Sequence, residues 1–320
     1  MPDRPTVLLT NAIHPDGEAI LAPHARLLTA PDTRPETLRD WAREADGIVV
    51  RAKLPDDIAD HAPRLKGIVR HGVGLDFIPV EAATARGIAV ANLPGSNTQA
   101  VAEYFFSALF ALRRPVTRID ARFRADGWAA ARAIADDASE VAGTTVGIIG
   151  VGAIGGRIAR IARDGFGMTV LGVSRRKGRM PAGVEEAALD DLFGRSDAIA
   201  VTCALTNETR GLVSAALIAA MRPDAVLMNM SRGAVIDTAA LMRALHSGAI
   251  GGAAIDVYDA QPVPPDSPLF ACPRLLMTPH VAAITATSLR QMSVGAAEEM
   301  LRILRGESPI NLVNPESLSA

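Results

Sequence analysis

Residues 144–157 read Thr-Thr-Val-Gly-Ile-Ile-Gly-Val-Gly-Ala-Ile-Gly-Gly-Arg, a short apolar run passing through a glycine-rich turn into a helical pattern. Val146, Ile148 and Ile149 form the apolar run of a strand covered on both faces. Gly150, Gly152 and Gly155 then stand at the spacing G-x-G-x-x-G. Each glycine meets a separate demand: one makes the tight turn, one lets backbone approach a pyrophosphate, and one lets helix pack close to strand. The helix start at Ala153 and Ile154 presents backbone N–H groups and the positive end of its dipole to the phosphates. Alone the spacing is weak. With a strand before it and an Ile154, Ile158, Ile161 stripe after it, the segment is read as a dinucleotide-binding turn.

The next strand is expected over Thr169 to Val173. An acidic residue at its end would hold the ribose 2′-hydroxyl of NAD, but the chain has Ser174, Arg175 and Arg176 there. A hydroxyl and two guanidinium groups suit a 2′-phosphate, because arginine forks onto phosphate oxygens. NADP(H) is therefore expected in preference to NAD(H), which stays possible; the competing reading is a solvated basic loop.

The rest of the chain limits what else it can be. Its 320 residues suffice for two domains with separate cores. A formal net charge of −2 does not mark nucleic acid or an anionic membrane as partner. No run of 18 apolar residues and no signal-like N-terminus is found, which points to the cytoplasm. Two cysteines, Cys203 and Cys272, are too few for a disulfide framework. The six histidines show no paired metal spacing, so no metal is expected.

Before the glycine turn, strands are expected at Thr6–Leu9, Ala25–Leu28, Gly47–Val50, Gly67–Arg70 and Ile88–Val90, with helices over His14–Leu21, Leu54–Ala62 and Ala82–Arg86 between them. Ser96 is a candidate N-cap, with Gln99 as its reciprocal partner. The following helix carries Val101, Tyr104, Phe105, Ala108, Leu109 and Leu112 at helical spacing. From Arg113 to Ala142 the pattern is polar and basic, and its isolated Phe123 and Trp128 are expected to pack on another subunit. Alternation then resumes through strands at 198–203, 225–230, 252–257 and 275–278, and ends in a helix over Ser288–Arg305. This order implies parallel sheets.

In open parallel sheets ligands bind beyond the carboxyl ends of the strands. Three residues stand just past such ends: Arg232, Gln261 and His280. Reduction of a 2-oxo acid needs a cation for carboxylate and ketone, and a group that exchanges a proton near neutral pH; arginine and histidine supply both.

The segments 70–76 (Arg-His-Gly-Val-Gly-Leu-Asp), 94–103, 205–209, 231–233 (Ser-Arg-Gly), 255–257 and 278–280 (Thr-Pro-His), with the glycine turn, together resemble the D-isomer-specific 2-hydroxyacid dehydrogenase family over nearly the whole length. The resemblance implies an α/β chain in which a doubly wound Rossmann cofactor domain, 96–283, is inserted in a smaller flavodoxin-like substrate domain, 1–95 plus 284–320. It implies that Arg232 binds and polarises a small 2-oxo acid, that His280 is the general acid/base, and that the amides of Val73 and Gly74 hold the substrate carboxylate. Asp256 would meet the nicotinamide carboxamide, with Cys203 and Met230 lining the cofactor cleft. A homodimer through the cofactor domain is implied as well.

The chain departs from the family at one position. Most members pair the histidine with a glutamate before a proline, and here Gln261 precedes Pro262. A carboxylate stabilises imidazolium, whereas an amide only orients the ring. Asp259 and Asp266 are candidate replacements, but aspartates in proline-rich turns are more often turn formers. Arg51 matches an arginine that meets the phosphate in members acting on phosphorylated three-carbon acids. The expected activity is hydroxypyruvate or glyoxylate reduction. The alternatives are a phosphoglycerate-dehydrogenase-like enzyme and, in another class, a dinucleotide-sensing protein resembling the C-terminal-binding corepressors.

Overall fold

The structure is a computed structural model that describes residues 4–175, 178 and 180–319. Internal contacts divide the chain into two compact units, Met1–Asn97 with Ile284–Ala320, and Thr98–Ala283.

The first unit runs β1 (Thr6–Leu9), α1 (Pro15–Leu21), β2 (Arg26–Thr29), α2 (Pro35–Ala42), β3 (Gly47–Val50), β4 (Gly67–Arg70), α3 (Val80–Thr84) and β5 (Ala89–Ala91). Its five strands are all parallel, in the order β2-β1-β3-β4-β5, the flavodoxin-like order. Every residue of β3 is buried, as expected of a strand covered on both faces. The expected helix over Leu54–Ala62 does not form; only Ile58–Asp60 makes a 3-10 turn. Leu54 N–H donates instead to the Phe77 carbonyl at 2.9 Å, and Pro55 has no N–H to continue a ladder. The helix α2 was not expected from the apolar pattern. Its start is marked by Pro35 in the first turn, a favoured position.

The second unit continues with α4 (Thr98–Arg113), α5 (Val116–Ala135), β6 (Thr145–Ile149), α6 (Ala153–Phe166), β7 (Thr169–Val173), β8 (Glu185–Glu186), α7 (Leu189–Arg195), β9 (Ala198–Val201), α8 (Ala215–Ala219), β10 (Val226–Asn229), α9 (Thr238–Ser247), β11 (Gly252–Ile255) and β12 (Leu275–Met277). The last long helix, α10 (Ala286–Leu304), returns to the first unit. There Met292, Ala296, Met300 and Ile303 pack on the sheet with Val7, Val49 and Val69. The seven strands of the second unit are parallel in the order β12-β11-β10-β9-β6-β7-β8. Chain order reverses between β6 and β9, and such a switch point opens a crevice beyond the strands' carboxyl ends.

Two local expectations are corrected. Ser96 does not cap α4: its hydroxyl donates to the Leu93 carbonyl at 2.8 Å, while Gln99 Nε2 donates to Glu103 at 2.6 Å. The polar excursion after Arg113 is helical. Its arginines and aspartates form i,i+4 pairs, Arg122 with Asp126 and Asp120 with Arg124, which support an exposed helix by about 0.2–0.5 kcal/mol each. Gly127, at φ 77°, kinks it. Phe123 and Trp128 stack edge-to-face at 5.8 Å and remain exposed. In α4, by contrast, Phe105 is fully buried, which contributes about 2–3 kcal/mol.

Candidate active site

The glycine turn forms between β6 and α6. Gly150 adopts φ 94°, and a Cβ there would lie 2.6 Å from the Cys203 backbone. A Cβ at Gly155 would collide with the Gly150 carbonyl and come within 2.9 Å of Ile148. This is the close approach of α6 to β6. Gly152 behaves differently: nothing lies within 4 Å of a Cβ built on it, so the space in front of the helix start is open. No side chain caps α6, and its first turn has no acidic residue. The amides of Ala153 and Ile154 and the open space at Gly152 thus fit a dinucleotide pyrophosphate.

Gly150 N–H donates to Val173 O at 2.8 Å, which brings the end of β7, and so Ser174 and Arg175, beside this turn. Arg175 is exposed and stands 3.9 Å from Glu208, a pairing of little energetic weight. Arg176, the third member of the expected 2′-phosphate site, lies outside the described residues. Cys203 is half-buried against Gly150, and burial raises its thiol pKa, so it acts as an apolar wall. Met230 is buried just past β10.

Arg232, Asp256 and His280 follow the carboxyl ends of β10, β11 and β12. Asn229, Ile255 and Met277 are in register across these three neighbours, and adjacent strands are about 4.8 Å apart. All three functional candidates therefore open at one edge of one sheet. The Asn229 side chain shapes the first turn: its Oδ1 accepts from Ser231 N–H and Oγ at 3.0 and 2.9 Å, and its Nδ2 donates to Arg232 O at 3.0 Å. Arg232 Nη1 donates to Ser231 O at 2.6 Å. Gly233 lies flat on the Tyr258–Asp259 backbone, where a Cβ would clash. The turn after β10 is thereby locked to the loop after β11.

Asp256, 1% exposed, is the anchor of the next turn. Its Oδ1 accepts from Thr278 Oγ1 at 2.6 Å and Val281 N–H at 2.7 Å, and its Oδ2 from Ala282 N–H at 2.8 Å. Tyr104 Oη bonds Thr278 Oγ1 at 2.6 Å, and Tyr258 Oη donates to Thr278 O at 2.8 Å. Burial, with lesser effects of Asp256 and Tyr104, raises the Tyr258 pKa to about 12, so this phenol stays a donor. The segment flanking His280 is thus held from both sides.

His280 itself has φ 58°, a left-handed conformation that costs a residue other than glycine about 1 kcal/mol. Its Nδ1 is 2.9 Å from Gln261 Oε1. A carbonyl oxygen only accepts, so in this contact the ring donates through Nδ1, and the amide orients the imidazole. Asp259 accepts from Thr238 Oγ1 at 3.2 Å, not from the imidazole. Beside the ring is a cavity of about 490 Å³, lined by Tyr258, Gln261, Pro262, Val263, Phe270 and Met277 among others.

In the first unit, Val73 O accepts from Asn92 Nδ2 at 2.8 Å and Gly74 O from Arg70 Nε at 3.1 Å. A trans peptide points N–H opposite to C=O, so these bonds turn the Gly74 amide away from Asn92. Among the described residues neither the Val73 nor the Gly74 N–H has a protein acceptor. Arg70 also stacks 4.6 Å from the Phe77 ring and donates to Val50 O. Arg51 is half-buried, which lowers its pKa, and its Nη1 donates to Ala12 O. His71 is buried, with Nε2 2.8 Å from Ser293 Oγ.

Sequence pattern alone did not single out the residues that aim these groups, Asn229, Thr278, Tyr104 and Tyr258. Thr278 opens the 278–280 motif and Asn229 stands two residues before the 231–233 motif, but neither was given a role. Tyr104 is hidden in the apolar stripe of α4.

Residues 106–282 match the family model described as "D-isomer specific 2-hydroxyacid dehydrogenase, NAD binding domain". The chain is 35% identical to the glyoxylate reductase of Aeropyrum pernix over 98% of this chain and 97% of that protein. Its structure resembles that of the NADPH-dependent glyoxylate/hydroxypyruvate reductase of Sinorhizobium meliloti, solved with NADP and malonate, with a TM-score of 0.84, 28% identity and 98% of each chain covered. It also resembles an acyclic imino acid reductase, Bsp5, solved with NADPH and D-Arg, with a TM-score of 0.87, 25% identity and 96% and 99% of the two chains covered.

Proposed function

The chain belongs to the D-isomer specific 2-hydroxyacid dehydrogenases, and on that premise we propose that it is an NADPH-preferring reductase of small 2-oxo acids, with glyoxylate and hydroxypyruvate as substrates. The observation that carries the reading is the shared sheet edge of Arg232 and His280, with the imidazole oriented through Nδ1.

The cofactor's nicotinamide, when bound, supplies the hydride. The amides of Ala153 and Ile154 hold its pyrophosphate, with Gly150, Gly152 and Gly155 giving the room. Ser174, Arg175 and Arg176 meet the 2′-phosphate, and Asp256, Cys203 and Met230 border the nicotinamide. Arg232 binds the 2-oxo acid and draws electron density toward its ketone oxygen. His280 exchanges a proton at Nε2, as base in the oxidative direction and as acid in the reductive one. Gln261 fixes the tautomer. In the first unit, the amides of Val73 and Gly74 are carboxylate donors and Arg51 is a further anion contact. The substrate domain is 1–95 with 284–320, and 96–283 is the cofactor domain. A cytoplasmic homodimer completes the proposal; its support is the exposed Phe123–Trp128 pair on α5.

Steady-state reduction of glyoxylate, hydroxypyruvate, pyruvate and phosphohydroxypyruvate with each nicotinamide cofactor tests it. Turnover fastest with the first two and NADPH is expected. Fastest turnover of the phosphorylated acid with NADH would replace the reading by a phosphoglycerate-dehydrogenase-like one, and no turnover at all by a dinucleotide-sensing protein.

A further inference from the structure

In the first unit, two adjacent residues grip two adjacent peptide carbonyls. Leu93 N–H donates to Gly72 O at 2.8 Å, and Asn92 Nδ2 donates to Val73 O at 2.8 Å. Among the described residues the one cis peptide bond is Gln261–Pro262. The peptides that join Gly72 to Val73 and Val73 to Gly74 are therefore trans, and each carries its N–H opposite to its carbonyl. With both carbonyls drawn toward residues 92 and 93, the Val73 and Gly74 N–H groups turn together to the other side. Gly72, at φ 142°, supplies a backbone angle that a side chain would oppose. The half-buried Val73 and Gly74 thus present paired donors of the kind that hold the two oxygens of a carboxylate. Burial first, and then the Arg51 and Arg70 charges, lowers the His71 pKa to about 4. The pair therefore lies in the field of two guanidiniums, beside an imidazole that is neutral at physiological pH.

We propose that Asn92 is a positioning residue for substrate binding: by holding Val73 O it keeps the Gly74 N–H aimed, beside that of Val73, at the carboxylate of the 2-oxo acid. This rests on the reading above, in which these two amides are the carboxylate donors. The Leu93 bond is made by main chain, which substitution leaves in place. The Asn92 bond is made by a side-chain amide, which substitution removes. Asn92 is itself anchored: its N–H donates to Asn311 O at 3.4 Å, and Asn311 N–H and Nδ2 donate to the buried Glu299 at 3.0 and 2.8 Å. Without Asn92 Nδ2 the Val73–Gly74 peptide loses its tether and can rotate, so the Gly74 N–H leaves the pair while that of Val73 stays. The carboxylate keeps its charge throughout hydride transfer. Its grip is then equally strong in ground and transition states, and weakening it acts on KM rather than kcat.

Two measurements test the proposal. The first uses the unaltered full-length enzyme, saturated with NADPH and labelled with ¹⁵N at glycine, and follows its amides by NMR during titration with oxamate, a non-reducible analogue of pyruvate. With Gly74 assigned through Gly74→Ala, a Gly74 N–H shift that tracks oxamate binding is expected. Binding without that shift would overturn the role of these amides and the inference with it; no binding would overturn the 2-oxo acid reading as well. The second measurement is steady-state reduction of glyoxylate by Asn92→Ala and by the isosteric Asn92→Asp, whose carboxylate cannot donate. KM is expected to rise about tenfold or more, with kcat changed by less than about twofold and NADPH affinity unchanged. Wild-type KM in both variants, with the Gly74 shift present in the unaltered enzyme, would overturn the inference and leave the amides as donors. A fall in kcat at constant KM, or failure of both variants to fold in a thermal scan, would show a merely structural asparagine and overturn it too.

Discussion

Replacing Asp256 by asparagine separates two roles for this carboxylate. In the structure it accepts three hydrogen bonds, from Thr278 Oγ1, Val281 N–H and Ala282 N–H, while 1% exposed. An asparagine that keeps its oxygen at the two-donor side turns its NH₂ against Ala282 N–H. A buried donor is left without an acceptor, at about 1–3 kcal/mol. The other two bonds fall from charge-assisted to neutral strength, roughly half. The sum is about 3 kcal/mol. For a unit of this size each kcal/mol moves the thermal midpoint by about 2–4 °C, so the cofactor-free variant should melt about 6–12 °C lower. Release of residues 281–282 also displaces His280, and a shift of about 1 Å costs on the order of 100-fold in kcat. The assay is a thermal scan of cofactor-free protein beside an NADPH titration. Were Asp256 only a partner for the nicotinamide carboxamide, the midpoint would not move and cofactor affinity alone would weaken. That result would refute the anchoring argument.

Three further outcomes follow from local geometry. Burial, then Arg51 and then Arg70, lowers the His71 pKa from 6.5 to about 4; the native state therefore binds fewer protons than the unfolded chain between these values, and stability rises with pH there. About 3 kcal/mol present above pH 6.5 should be lost as pH falls through 4, and His71→Gln should flatten the midpoint-versus-pH curve in that window; an unchanged slope counts against the assignment. Ser174→Asp places a carboxylate where a 2′-phosphate is proposed, so KM for NADPH should rise about tenfold or more relative to NADH, and a constant ratio would sink the proposal. Gly150→Ala combines φ 94° with a Cβ 2.6 Å from Cys203; cofactor binding measured by fluorescence titration should be lost or nearly so, and wild-type affinity would contradict the turn geometry.

What the sequence disclosed depended on how local the physics was. The glycine turn is read from one segment because its three constraints lie within six residues: left-handed backbone at Gly150, open space at Gly152 and helix contact at Gly155. The buried strands were equally plain, since β3 and β9 are apolar at every position. Helix α5 was missed because its stability rests on exposed i,i+4 ion pairs, with Ala131 its one buried residue among those described, so no apolar stripe announces it. The Ser96–Gln99 pair had the spacing of a capping box, yet the helix begins at Thr98. A pattern of residue types does not encode the backbone angle that decides which position becomes the cap.

The site divides along the same line. Arg232 and His280 could be picked out as residues one short turn past a strand, a position that parallel sheets reserve for ligands. The groups that aim them are drawn from distant segments. Tyr104 reaches Thr278 across 174 positions, and Asp256 reaches Ala282 across 26. Such long-range bonds carry no sequence period, and an aspartate buried for this purpose looks like one placed to meet a cofactor. Gln261 is where the two kinds of information meet. The sequence shows that the usual carboxylate is missing, but only the 2.9 Å contact to Nδ1 shows that the amide keeps its place on the ring. The substitution thus preserves the orientation of the ring while it withdraws the charge beside it.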